Sequence, residues 1–153
     1  MNRFNNILNK EITDTEGKTH WISPSASVDS LLVVSGFVLV TKRSIYMTNP
    51  NMWCIPCGYM DWNEDYLRGA MRELHEETGV DVREHIITNK DYNRPYSING
   101  TALQFVFELI QRLEIKLEPK ECIDYKWVSC SMLKDLEWAF GHDRVISILL
   151  NDD

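Results

Sequence analysis

No stretch of this chain is long and apolar enough to span a membrane. The longest apolar run, Leu31 to Val40, contains Ser35 and Gly36 and falls far short of the roughly 20 residues a bilayer requires. The opening MNRFNNILNK has no apolar core of the kind a secretory signal needs. The Asn-Asp-Asp end carries no lipidation signal. A cytoplasmic location is therefore expected, where Cys54, Cys57, Cys122 and Cys130 would stay reduced. The chain also lacks a Lys/Arg run. With 16 Lys and Arg against 23 Asp and Glu its formal net charge is −7, which argues against a protein that coats nucleic acid by neutralising phosphates. None of His20, His75, His85 and His142 forms a His-x-x-x-His pair, so a zinc hydrolase finds no support. Repeats, low-complexity tracts and linkers are absent. Residues 1–153 are expected to form a single domain, with 1–20 as a possible N-terminal arm, a short helix or frayed.

What is present is the material of a folded core. Hydrophobic residues make up 44% of the chain, and Trp, Tyr and Phe are plentiful, unlike the composition of disordered segments. Leu31 to Thr41, rich in Val and Leu, reads as one buried strand, and Ser44 to Thr48 as another. Asn49-Pro50-Asn51 is a turn, and Trp53 to Cys57 an extended segment. Asp65 to Thr78 is the clearest helix. Leu67, Ala70, Met71, Leu74 and Thr78 recur at helical spacing, Asp65 serves as N-cap, and Gly79 stops the helix. Val82 to Thr88, Leu103 to Ile110 and Lys126 to Ser129 read as strands. Met132 to Trp138 and Asp143 to Leu150 read as helices, the last burying Val145, Ile146, Ile148, Leu149 and Leu150. Strands mixed with two or three helices predict a layered α/β or α+β domain.

The acids of that clearest helix point to chemistry. Glu73, Glu76 and Glu77 stand at i, i+3 and i+4, within roughly a third of the helix circumference. Like charges at that spacing destabilise a helix, and its last turn is where the dipole disfavours anions. A sequence that accepts both penalties calls for a compensating cation, and clustered hard oxygen ligands suit magnesium or manganese. Such ions would also reconcile an acidic protein with a phosphate-bearing substrate. Arg72 can reach back to Glu64 and tie the preceding loop to the helix.

The full segment, GYMDWNEDYLRGAMRELHEETGV from Gly58 to Val80, resembles the Nudix box at every defined position: Gly58, Glu64, Arg72, Glu73, Leu74, Glu76, Glu77, Gly79 and Val80. The likeness extends to Trp53-Cys54-Ile55-Pro56 before the box and to Trp127-Val128 with Leu133 and Leu136 after it. It covers roughly residues 30 to 150. The resemblance implies an α/β/α sandwich around a mixed sheet and hydrolysis of a diphosphate linkage by water attack on phosphorus. It implies Glu73, Glu76 and Glu77 as metal ligands, one of them also orienting or deprotonating the water. The Gly58 carbonyl would complete a metal site, with Glu64 and Arg72 as support. A further acid from outside the box often joins in the family. Glu118 and Glu121 are on offer, and Glu121, six residues before Trp127, lies about where the family places it. Homodimers are frequent in the family.

The substrate implied is a small nucleotide-like molecule: a nucleoside triphosphate, ADP-ribose or a nucleotide sugar. Tyr92, Arg94 and Tyr96, in the loop Asn89 to Gly100, are the expected recognition residues, since aromatics stack on bases and Arg binds phosphate. Pro95 and Tyr96 resemble features of two different Nudix subgroups, so they do not choose between substrates. A non-catalytic nucleotide-binding or regulatory domain is the alternative; retention of Arg72 with all three glutamates favours the enzyme. One departure from the family is Cys57, where many members have a first glycine. It creates Cys54-Ile55-Pro56-Cys57, which looks like the redox motif of thioredoxins. In that fold the motif opens a helix, whereas here an extended segment is expected to point the two thiols apart. A zinc site of four cysteines fits no standard spacing. His142 reads as a capping or packing residue at a helix start.

Overall fold

The computed structural model describes residues 10–22, 26–85, 88, 94–98, 100 and 102–151. Of the expected N-terminal arm, residues 1–9 lie outside the described residues; the part from Lys10 onward is a hairpin, β1 (Lys10–Thr13) paired antiparallel with β2 (Thr19–Ile22). Asp14 makes the turn: its Oδ1 accepts from the backbone N–H of Glu16 and of Lys18, both at 2.9 Å. Gly17, at φ 79°, supplies the left-handed residue the turn needs.

The expected strand Leu31 to Thr41 is two strands. Ser35 and Gly36 both take positive φ, 50° and 79°, the signature of a two-residue hairpin turn. They fold β3 (Ser27–Val34) back on β4 (Phe37–Arg43). These two strands pair only next to their turn, at Val33↔Val38 and Val34↔Phe37, and each carries a long ladder on its outer side. β3 pairs in parallel with β7 (Ala102–Leu109) along its whole length. β4 pairs antiparallel with β8 (Cys122–Val128). β5 (Trp53–Cys54) pairs with the far end of β4 and β6 (Cys57–Tyr59) with the start of β3. The short segment from Trp53 to Tyr59 thus fills the gap where β3 and β4 part.

The pleat of β3 sorts its side chains to two faces. Val28, Leu32 and Val34 join Leu39, Phe105, Phe107, Ala70 and Leu74 in one core cluster, under α1 (Tyr66–Thr78). Leu31 and Val33 join Val38, Val40, Trp53, Ile55, Val145 and Ile146 in the other, under α2 (His142–Asn151). A mixed sheet between two helical layers is the α/β/α sandwich expected. α1 is capped as read from its sequence. Asp65 accepts from Arg68 N–H, and Gly79, at φ 75°, donates its N–H to the His75 carbonyl. In α2, Val145 and Ile146 are buried, while Ile148, Leu149 and Leu150 are half-buried.

Three local expectations differ. Ser44 to Thr48 is a turn, drawn in by Arg43 Nη2 donating to Thr48 Oγ1 at 2.9 Å. Val82–Glu84 is a 3-10 turn, with Asp81 accepting from Arg83 N–H; residues 86 and 87 lie outside the described residues. Met132 to Trp138 is not an α-helix. A 3-10 turn, Cys130–Asp135, gives way to extended backbone at Leu136, because residues 137–139 are recruited by β5. Trp53 N–H donates to the Glu137 carbonyl, and Ala139 N–H donates to that of Trp53.

Candidate active site

α1 brings the candidate residues together around Arg72, whose side chain is 3% exposed. Its Nε and Nη2 donate to the two oxygens of Glu64, at 2.9 and 2.6 Å. Nη1 reaches Glu73 Oε1 at 2.8 Å and Glu76 Oε2 at 3.1 Å. Nη2 also donates to the Tyr59 carbonyl at 2.9 Å. Such a fork uses the planar donor set that distinguishes Arg from Lys. Glu64 is held in turn by the Asp61 N–H. The loop before the helix is thus fastened to the helix by one guanidinium. The sequence reading missed Asp61, which is buried and brings Oδ2 to 3.1 Å from Arg72 Nε. It stands at an unconstrained position of the motif, so spacing carried no signal for it.

Carboxylates outnumber their cation here. Arg72 faces Asp61, Glu64, Glu73 and Glu76. Glu77, 5% exposed, has no cationic nitrogen within 4.0 Å among the described residues; Cys122 Sγ lies 4.0 Å from its Oε2. Burial pushes the pKa of Glu73 up to about 8, against the pull of Arg72. Burial, then the charge of Glu73, drives Glu77 well above its ordinary value. Glu76 is raised by burial as well. Glu121, half-buried, is raised by burial and then by Glu76, and both Glu73 and Glu77 feel its charge. Its loop hangs on the end of α1. Lys116 and Glu118 donate backbone N–H groups to the carbonyls of Thr78 and Glu77, and Ser44 N–H donates to the Glu121 carbonyl.

Gly58 closes the site from the sheet side. A Cβ there would lie 2.2 Å from Glu73 Cδ. The carboxylate therefore rests directly on the backbone of residue 58. A buried Glu73 against the Gly58 backbone, with Glu76 and Glu77 on the same helix, is a set of hard oxygen donors that fits a magnesium- or manganese-sized cation. Gly58→Ala is expected to leave the fold intact, because only the flexible end of Glu73 must yield. It should displace that carboxylate and weaken manganese binding and activity together. Calorimetric titration with manganese, beside a thermal melt, checks this; unchanged binding would contradict it.

Of the expected substrate residues, Tyr92 lies outside the described residues. Arg94 is exposed. Tyr96 is half-buried and bridged through its backbone to Gln104, with two hydrogen bonds of 2.8 Å. Among the described residues, no hydrogen bond or ion pair joins Arg94 or Tyr96 to the glutamates. Gln104 also bonds outward, donating through Nε2 to Asp29 Oδ2 at 2.8 Å and accepting from Ile98 N–H.

A family model described as the NUDIX domain matches residues 24–148. The chain belongs to the Nudix hydrolase family. Relatives include an RNA pyrophosphohydrolase of Rhizobium meliloti, 45% identical over 49 residues, covering 32% of this chain and 29% of that protein. The RNA pyrophosphohydrolase of Bartonella henselae is 33% identical over 108 residues, covering 58% of this chain and 62% of that one. The match thus spans less than two thirds of either relative. Among solved structures, a Nudix hydrolase from M. smegmatis, RenU, superposes with a TM-score of 0.66 at 18% identity. That superposition covers 94% of this chain and 96% of that one, and speaks for the Nudix fold. Among the described residues, no helix is long and apolar enough to cross a membrane.

Proposed function

We propose that this Nudix protein hydrolyses the diphosphate linkage of a small nucleoside diphosphate derivative. A divalent cation, magnesium or manganese, would be held by Glu73, Glu76, Glu77 and the Gly58 carbonyl. The observation that carries this reading is the buried Glu73 carboxylate packed against the backbone of Gly58, on the same helix as Glu77, buried with no cationic nitrogen within 4.0 Å among the described residues. The chemistry a cation supplies there is neutralisation of the diphosphate and acidification of water. The chain's own residues do the rest. Arg72 and Glu64 fix the helix against the Gly58 loop, so the carboxylates are preorganised for the charge that develops at phosphorus. Glu121, outside the helix yet within the field of the three box acids, would accept the proton of the attacking water. Its raised affinity for protons suits a base.

The substrate class is set by what surrounds this centre. The net charge of −7 disfavours tracking along a polymer, so free nucleotides come first: nucleoside triphosphates, ADP-ribose and nucleotide sugars. The names of the relatives add an RNA 5′ end, which would need only its terminal phosphates in the site. The test is a panel of these compounds, including a 5′-triphosphorylated oligoribonucleotide, incubated with protein and magnesium and resolved by chromatography. Cleavage of one class names the substrate. Binding of a compound without cleavage of any would favour the non-catalytic domain instead.

A further inference from the structure

The second polar cluster lies outside the proposed catalytic centre, at the joint between β5 and β6. Cys54, Cys57 and His142 each offer an atom to a common point, and those atoms lie within 4.8 Å of one another. This overturns the expectation that the thiols point apart. The segment does not run straight: it closes the gap between β3 and β4, with Ser30 N–H donating to the Pro56 carbonyl at 2.9 Å. Ile55 N–H donates to His142 Nδ1 at 2.9 Å, which brings the start of α2 against the turn.

Donors surround the inner sulfur. Thr41 Oγ1 lies 3.7 Å from Cys54 Sγ, and Arg43 Nη1 lies 4.0 Å away. Cys54 is 2% exposed, whereas Cys57 is half-buried. The Thr41 hydroxyl and the Arg43 guanidinium beside Cys54 Sγ favour its thiolate, which makes Cys54 the attacking sulfur and its neighbour Cys57 the resolving one. A cation site fits this cluster less well. The Nδ1 lone pair of His142 is taken by Ile55 N–H, so the imidazole proton sits on Nε2, which faces Asp29 Oδ2 at 3.4 Å.

We propose that Cys54 and Cys57 are a redox-active dithiol that closes to an intramolecular disulfide on exposure to a small peroxide. The Cys54 thiolate attacks one peroxide oxygen; the O–O bond breaks, and hydroxide leaves and is protonated to water. The Cys57 sulfur then attacks the sulfenic sulfur of Cys54. The S–O bond breaks, the Cys57 proton leaves with that oxygen as water, and the disulfide forms. Two thiols lose two electrons in all, and one hydrogen peroxide becomes two waters. The sulfurs must close to about 2.05 Å, which draws in the turn directly before Gly58.

The test reads mass and needs no hydrolytic assay. Reduced protein is exposed to hydrogen peroxide, alkylated, unfolded and digested with trypsin. Residues 44–68 form one tryptic peptide that contains both Cys54 and Cys57. The expected result is loss of alkylation at both, restored by dithiothreitol, while Cys122 and Cys130 stay alkylated. In Cys57→Ser the sulfenic acid at Cys54 should persist and be trapped by dimedone. In Cys54→Ser, Cys57 should stay reduced under the same exposure. Full alkylation of both wild-type thiols after peroxide would overturn the proposal. So would oxidation of Cys122 or Cys130 as fast as the pair, or a bound zinc ion that protects it.

Discussion

Glu77→Gln is expected to lose turnover by at least about a hundredfold, the scale seen when one preorganised electrostatic group is removed from an active site. The same change should make the metal-free protein more stable, and this pairing separates a functional role from a structural one. Glu77 is buried, and among the described residues no cationic nitrogen lies within 4.0 Å of it. Its charge is therefore a cost to the fold until a cation arrives. Glutamine keeps the shape and removes that charge. The effect has a definite sign with pH. Burial raises the carboxyl pKa in the folded state, for Glu73 from 4.5 to about 8. The stability this contributes is fully present below the unfolded value and is lost as pH rises through the folded one. Glu77 is raised in the same sense, so the stability advantage of the Glu77→Gln variant should grow as pH rises. Kinetics with magnesium and thermal melts in chelator measure the two halves. A variant that loses activity and stability together would reduce Glu77 to a packing residue.

Arg72→Ala is expected to cost about 3–5 kcal/mol of stability, the range for removing one partner of a buried ion pair. The alanine leaves Glu64, with its side chain fully buried, and Asp61, 5% exposed, without the guanidinium that faces them. Arg72→Lys should recover little of this. One ammonium cannot supply parallel bonds to both oxygens of Glu64 while also reaching Glu73, Glu76 and the Tyr59 carbonyl. Denaturant unfolding measures the loss. Stability within about 0.5 kcal/mol of wild type in either variant, the range typical of plain surface substitutions, would contradict the account of Arg72 as the clasp between loop and helix.

Much of this site could be read from local patterns, because the residues that build it lie within one loop and one helix. Spacing alone placed Glu73, Glu76 and Glu77 on a common face and suggested Glu64 as the partner of Arg72, and the caps of α1 stand where Asp65 and Gly79 announced them. What spacing does not carry is contact between distant segments. The thiol pair depends on a turn held by Ser30 and on α2 docking His142 against Ile55, a contact 87 residues apart in the chain. Read as a straight segment, Cys54 and Cys57 look separated. The same limit explains Met132 to Trp138, whose helical pattern yields to backbone pairing with Trp53. The misreading of Leu31 to Thr41 has a different cause. A two-residue turn hides within an apolar run, and the positive φ values at Ser35 and Gly36 were its only break.

The measurement that bears most directly on the account is turnover of the nucleotide panel by wild-type protein, with magnesium and again with chelator. The account predicts cleavage of a diphosphate linkage in at least one compound, abolished by chelator and restored when magnesium is returned. Cleavage that proceeds equally in chelator, or none of any compound with magnesium or manganese, would contradict it.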